Sequence, residues 1–578
     1  MNGKKANLSL IAVLSAMWGK AARILQLAAA YVLVFAIMTA APALAGSKKA
    51  KDLDGKSSSE QVDVIIQFAQ SPTQKHLDKV KKHGGSFKKN LRSVKGGLFS
   101  VRASELDALA NDPDVAYISP NRSLSGAADY SVQTVGADIA QRSYGLDGNG
   151  IGIAVIDSGV SPHNDLENSY NGNSRVVYNE NFTSSGDSSD GYGHGTHVAG
   201  IIAGNGSDSD AYHGVAPKSK IINLRVLKSD GSGTDAGVIA AIERAIELKN
   251  TYNIRVINLS LGRRIKESYT VDPLCQAVEA AWRGGIVVVV SAGNFGRDNS
   301  LATGGYGMIT SPANDPYVIT VGATNTLSTL SRSDDYVATY SSKGPSLIDH
   351  VVKPDLVAPG NAIVSLNASG STLSNTYLLN RVFVWTYSGL KPRYFRLSGT
   401  SMAAPVVSGA AALLLEQTPS LNPDQVKARL MKTAWKNFPR YSSVTADGVT
   451  TTIQNDVFTV GAGYLDIAAA LDNTDRANGT AMSPVAVRDE LGNVTLVADA
   501  SAIWDNSVLW GASVMWGSSV VWGSDAMVNG TSVLWGNSVL WGSTTVDGYS
   551  VIWGSSVIWG ASDDAAAQNI DVEGDPIE

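Results

Sequence analysis

Ile153-Ala-Val-Ile-Asp157-Ser-Gly159 is the stretch that decides the fold. Four apolar residues in a row lead into an aspartate, and a glycine follows two positions later. A strand that is apolar at consecutive positions has both faces buried, as in a parallel sheet covered by helices on each side. The glycine lets the chain turn sharply where the strand ends. A carboxylate at that point stands on the rim where open α/β sheets carry their sites.

Outward from this strand, apolar runs recur at residues 220–226, 256–259 and 286–291 and alternate with helical stretches from about residue 129 to 472. The alternation implies an α/β domain with a central parallel sheet between helices. Two segments inside it share the unusual composition of the first. One is Gly193-His194-Gly-Thr-His197-Val-Ala-Gly200, where glycines allow a histidine to open a helix packed close to the sheet. The other is Ser398-Gly-Thr-Ser401-Met-Ala-Ala-Pro405, where a serine opens a long helix apolar on every side, expected to be central and buried. Pro405 is expected in the first turn, where no intrahelical N–H bond is lost.

Singly, each residue has a plainer reading. A strand-end Asp or a helix-start Ser is usually a cap. His194 and His197 at i, i+3 could hint at a metal, but no third ligand motif and no H-E-x-x-H accompanies them. Together, in the order Asp, His, Ser, the three segments resemble the signatures of the subtilisin-like serine peptidases, the subtilase family. The resemblance implies a three-layer subtilisin-like fold and a serine endopeptidase with Asp157, His194 and Ser401 as its catalytic triad. It further implies an oxyanion hole from the Ser401 backbone N–H and the side-chain amide of Asn294 in Ser291-Ala-Gly-Asn294. Substrate would lie as an added strand on two edges, Ser232-Gly233 and Ser260-Leu261-Gly262; the alternative is that both are ordinary turns. Residues 310–313 are expected to floor the primary specificity pocket, with broad cleavage after medium apolar residues. The chemistry requires no cofactor. A structural calcium is expected at Asp165, with the acidic loop at residues 205–210 as a second candidate or merely a solvated loop.

The flanks complete the organisation. Lys4, Lys5 and Arg23 precede an apolar run at residues 24–41, and Ala43-Leu44-Ala45 supplies an A-x-A cleavage site. Residues 1–45 therefore read as a signal peptide, with an uncleaved anchor as the alternative. Residues 46–59 are polar and read as a linker. Residues 60–126 show strand-like runs at 62–68, 97–102 and 115–118 and helical stretches at 71–83 and 103–110, a small α+β domain with lysines from Lys75 to Lys89 on its exposed faces. Its sequence LFSVRASELDALANDPDVAYISPN is similar to the family's inhibitory propeptide. The implied cut lies between Arg122 and Asp129, ahead of a catalytic domain at residues 127–475.

From residue 476 to 562, Trp504, Trp510, Trp516 and Trp522 recur every six residues, and Trp535, Trp541, Trp553 and Trp559 resume the pattern after a slip. Six is a multiple of the strand period, so in a strand every Trp shares one face. This reads as a Trp-rich β-repeat module. The Trp faces could pack rung on rung, stack glycans at a cell surface, or drive self-association. Residues 563–578 read as an acidic disordered tail.

The chain has 578 residues and a formal net charge of -6, which fits several domains and gives no reason to expect a nucleic-acid partner. One cysteine, Cys275, excludes an intramolecular disulfide and reads as a packed small hydrophobe rather than a catalytic thiol. The aromatic segment at residues 373–395 is expected to be a packed insertion near the serine. The expected partners are polypeptide substrates and the chain's own propeptide. A competing reading makes the Trp module the working end of a surface-binding protein; the intact triad set and Asn294 favour the enzyme.

Overall fold

The computed structural model describes residues 48–50, 53, 56–91, 94–120, 131–168, 171–184, 186–386, 388–446, 449–488, 494–497, 567–568 and 574–575. The signal peptide, the maturation cut and the Trp repeats lie outside the described residues. Among the described residues no helix is long and apolar enough to cross a membrane. The chain divides into two compact units, Met1–Gly126 and Ala127–Glu578.

In the first unit, β1 (Gln61–Phe68), β2 (Ser86–Leu91), β3 (Gly96–Arg102) and β4 (Val115–Pro120) form an antiparallel sheet in the order β2-β3-β1-β4. Every second residue of β1 is buried from Val62 to Phe68, the period-two signature of a sheet with one covered face. Helices α1 (Gln74–Lys82) and α2 (Leu106–Ala110) contribute Val80, Leu106 and Leu109 to a core with Val64, Ile66, Phe99, Val101 and Ile118. Strand β2 has no apolar alternation, so its sequence carried no signal; register with β3 alone makes it a strand. The segment expected as a linker is partly docked: the Ala50 N–H donates to the Ile118 carbonyl at 2.9 Å, and Ala50 and Leu53 join the core.

The second unit is an α/β structure. β5 (Gly152–Asp157), β6 (Val176–Asn181), β7 (Lys220–Arg225), β8 (Ile254–Leu259), β10 (Val287–Ser291), β12 (Ile319–Asn325) and β14 (Leu356–Pro359) are parallel, and β13 (Tyr336–Val337) pairs antiparallel to β12. The order is β13-β12-β10-β8-β5-β7-β6, with β14 also on β12. All six residues of β5 are buried. Helices α3 (His194–Ala203) and α6 (Thr400–Gln417) pack on each other and on the sheet, as do α4 (Asp235–Tyr252) and α5 (Pro273–Arg283). Strand order reverses at β5: β6 and β7 lie to one side and β8 to the other. Such a reversal opens a crevice at the carboxyl ends of the strands.

α6 is buried from Thr400 to Leu415. Pro405 is its sixth residue, beyond the first turn where it was expected. Proline has no N–H for the carbonyl of Ser401, four residues back. The Ser260 hydroxyl fills the vacancy, donating to that carbonyl at 2.9 Å.

Residues following 475 continue into the second unit's core before the Trp repeats begin. Ser483 is buried and accepts from the ammonium of Lys427, in α7 (Pro423–Thr433), at 2.9 Å. The hairpin of β20 (Val485–Arg488) and β21 (Val494–Val497) places Ala486 and Leu496 in the same core. The aromatic insertion is a hairpin of β16 (Arg381–Thr386) and β17 (Gly389–Leu397) paired to β15 (Ile363–Leu366). Contrary to expectation it is not packed throughout. Trp385 is 80% exposed and Phe383 50%, while Tyr394, Phe395 and Leu397 are buried in the core and Val382 and Val384, on the alternate positions of β16, pack against it.

Candidate active site

Asp157 is the last residue of β5 and fully buried. Its Oδ1 accepts from the Ser158 N–H at 2.7 Å and pairs with Nδ1 of His194 at 2.8 Å. Gly159 makes this possible: it has φ +108°, and a Cβ there would lie 2.7 Å from two carbonyl oxygens. Gly195 is as constrained, since a Cβ would sit 2.2 Å from the Gly159 carbonyl oxygen and 3.1 Å from the Asp157 Cβ. Gly159 and Gly195 thus let α3 start against the end of β5.

The start of α3 is capped from the strand side. Asp190 accepts from the N–H groups of Gly193 at 2.6 Å and Thr196 at 2.8 Å, while Ser158 Oγ accepts from Gly195 N–H at 2.9 Å and donates to Asp190 at 2.8 Å. These satisfy amides that a helix start leaves without partners. Asp190 is fully buried, and burial raises its pKa against the pull of those hydrogen bonds. Sequence reading missed Asp190; the available signal was an acid just ahead of the helix start.

His194 is buried, and its Nε2 has no hydrogen-bond partner. An imidazole with one nitrogen on a carboxylate and the other free and buried is poised to take a proton from a neighbour. Ser401 is tied to the strand beside β5 through Ser260. Register pairs Ile156 with Leu259, which sets Asp157 beside Ser260. The Ser401 hydroxyl donates to the Ser260 carbonyl at 3.0 Å. In this conformer the hydroxyl therefore rests on Ser260 rather than on His194. Catalytic hydrogen bonds often tighten only when substrate arrives.

The oxygen of the Asn294 side chain accepts from the Thr400 N–H at 2.9 Å and the Thr400 hydroxyl at 3.0 Å. That orientation fixes the amide and leaves Nδ2 buried without a partner, at the N-terminus of α6. A preoriented donor beside a serine is what a developing oxyanion requires.

The Subtilase family model matches residues 148–482, more than half of the chain and all three segments. The chain belongs to the subtilase family. It is 38% identical to serine protease AprX of Bacillus subtilis (strain 168) over 317 residues, covering 54% of this chain and 67% of AprX. It is 33% identical to subtilisin E of the same strain over 399 residues, 68% of this chain and 90% of that one. The extracellular serine proteinase of Thermus sp. (strain Rt41A) is 35% identical over 352 residues, 58% of this chain and 71% of its own. The protein is a subtilisin-like serine endopeptidase.

In this subtilase, Leu261 and Gly262 open β9 (Leu261–Arg264), which pairs with β11 (Thr310–Ser311) on one side. Ser232 and Gly233 lie in the loop before α4, where the Lys228 N–H donates to the Ser232 carbonyl at 2.8 Å. The two edges are brought to the same unit, but only the first is a regular strand.

His197 is a packed helix residue. Its Nε2 meets the carbonyls of Phe395 at 3.0 Å and Ile363 at 3.2 Å, and burial, with His194 nearby, lowers its pKa to about 3. Cys275 is buried against Asn314, and burial raises its thiol well above the usual range, so no thiolate forms.

Asp165 meets His163 and Asp208, and these three could hold a cation. Each carboxylate already accepts hydrogen bonds: Asp165 from the Asp208 N–H at 2.8 Å and the Tyr394 hydroxyl at 2.7 Å, and Asp208 from Asn164 and from Arg393, its cationic partner.

Proposed function

We propose that this subtilase cleaves polypeptides through an acyl-enzyme with Asp157, His194 and Ser401 as the triad, and that it is made as an exported, self-processed precursor. The observation that carries the reading is the buried, unpartnered Nε2 of a His194 held by Asp157. A serine hydroxyl is a weak nucleophile unless a base removes its proton as it attacks. Rotation of Ser401 off the Ser260 carbonyl would present its proton to His194. Asp157 holds the proton on Nδ1 and stabilises the imidazolium, and His194 then protonates the leaving amine. The oxyanion is received by Asn294 Nδ2 and the Ser401 N–H at the α6 N-terminus. None of these steps calls on a metal or cofactor.

Export rests on the leader at residues 1–45. The first compact unit, Met1–Gly126, has its own core, which supports reading residues 60–126 as an inhibitory propeptide cut between Arg122 and Asp129. Ser401→Ala is expected to lower kcat by about 10⁶-fold, the size of that loss in a subtilisin, and to leave an uncut precursor in a protease-free host. Normal maturation of that variant expressed alone would refute self-processing; undiminished casein hydrolysis would refute the nucleophile.

A further inference from the structure

The acidic C-terminal segment, expected to be disordered, is seated on the second unit at two places. Ala567–Gln568 forms β22, antiparallel to β9, with Ala567 opposite Gly262 and Gln568 opposite Leu261. This is the edge read above as the substrate strand's partner, and it begins next to Ser260, whose carbonyl holds the Ser401 hydroxyl. The second contact is at Gly574 and Asp575. The Asp575 side chain is 1% exposed. One of its oxygens accepts from Arg297 Nη2 at 2.7 Å and from the Thr339 hydroxyl, and the other from the Thr339 N–H at 2.6 Å. Its backbone is held as tightly: its N–H donates to the Asn361 side-chain oxygen at 2.7 Å, and the Asn361 amide returns a bond to its carbonyl at 2.9 Å.

This second contact is a built carboxylate clamp. Arg297 Nε also donates to Thr339 Oγ1 at 2.7 Å, which orients the hydroxyl. Gly574 passes over Ser398, three residues ahead of Ser401. It has φ +66°, and a Cβ there would lie 2.2 Å from Ser398 Oγ and 2.6 Å from Asn361 Oδ1. The two contacts therefore flank the segment that carries Ser401.

We propose that the C-terminal segment is an intramolecular inhibitor of this protease: Ala567–Gln568 takes the substrate's place on Leu261–Gly262, and Asp575 anchors it in the clamp of Arg297, Thr339 and Asn361. The proposal rests on the reading of Leu261–Gly262 as the substrate edge. Tethering gives the segment an effective concentration of up to about 1 mM. A separate peptide with a Kd of about 0.1 mM would then fill the tethered cleft about nine-tenths of the time, and activity would fall about ten-fold. Such a tail slows the enzyme without silencing it, and yields to a substrate that binds better.

The test uses the full chain. Asp575→Ala removes the clamped carboxylate, and Gly574→Val forces a side chain into Ser398; both lie in the tail and outside the catalytic machinery. Each is expected to raise kcat/KM on a short chromogenic peptide about ten-fold. A synthetic peptide of residues 563–578 is expected to inhibit the Asp575→Ala enzyme competitively, and the same peptide carrying the Asp575→Ala change to inhibit about ten-fold more weakly. In enzyme that has matured and is then inactivated by sulfonylation of Ser401 with phenylmethylsulfonyl fluoride, Asp575→Ala is expected to speed hydrogen exchange at residues 261–264 and 336–340. Unchanged exchange overturns the docking, and faster exchange with unchanged kcat/KM overturns the inhibition. If no variant cleaves the peptide at all, the protease reading fails instead, and exchange still decides the docking.

Discussion

Asn294 shows how one side chain is committed by its neighbours. Both donors of Thr400 converge on its oxygen, so the amide cannot flip without losing two hydrogen bonds, and Nδ2 is left buried without a partner. A donor to an oxyanion strengthens only as that oxygen becomes charged, so in the proposed role the loss of Asn294 falls on kcat rather than KM. Asn294→Ala is expected to lower kcat by about 100- to 1000-fold, the size such an amide has in a subtilisin, with KM little changed. Steady-state kinetics on a chromogenic peptide check this, and a loss confined to KM would remove Asn294 from the oxyanion hole. Asp157, His194, Ser401 and Asn294 stood out as candidates in the sequence because glycines and small residues mark where backbone must approach backbone. Asp190 was not, since a lone acid in a glycine- and serine-rich loop has no partner visible along the chain.

At the scale of elements, the site depends on how α3 and α6 begin. α3 starts with its free amides on Asp190 and Ser158, which lash the histidine's helix to the end of the strand bearing Asp157. Removing Asp190 would leave two buried N–H groups unsatisfied, at a cost of about 1–3 kcal/mol each. Asp190→Ala is therefore expected to lower the urea midpoint of the Ser401→Ala protein. With Ser401 intact, it is expected to cut kcat/KM as the His194–Asp157 pair loses its brace. A variant with an unchanged midpoint would show the cap to be dispensable. α6 shows the converse case. Pro405 deletes a helical hydrogen bond, and the Ser260 hydroxyl from the neighbouring strand end supplies a replacement at the serine itself. The composition of α6 announced a buried helix, but not that its missing bond would be made by Ser260, at the end of a neighbouring strand.

At the scale of the molecule, buried titratable groups set the response to pH. His197 is neutral in the core, with a pKa of about 3 against an ordinary value of 6.5. A lowered folded pKa means that the unfolded chain binds the proton first as pH falls. The stability His197 contributes is then complete above about pH 6.5 and is lost progressively down to about pH 3, at up to about 1.4 kcal/mol per pH unit. Denaturation of the Ser401→Ala protein should steepen in acid over this window, and His197→Gln should flatten the dependence. Equal slopes for the two would show that this histidine charges within the fold.

By itself the sequence determined the α/β class, the strand runs that build the parallel sheet, the three glycine-marked segments of the site and the presence of a separate domain before them. These are local matters: apolar continuity demands two-sided burial, and glycine spacing permits close approach, whatever the rest of the chain does. Only the tertiary structure decided that Ser260 would hold both the hydroxyl and the carbonyl of Ser401, that Arg393 would give Asp208 its positive partner, and that an acidic tail would settle against Arg297 and Thr339. In each case a polar group's free energy depends on a partner remote in the chain, and no pattern along the sequence encodes which of many chemically adequate partners folding will bring within 3 Å.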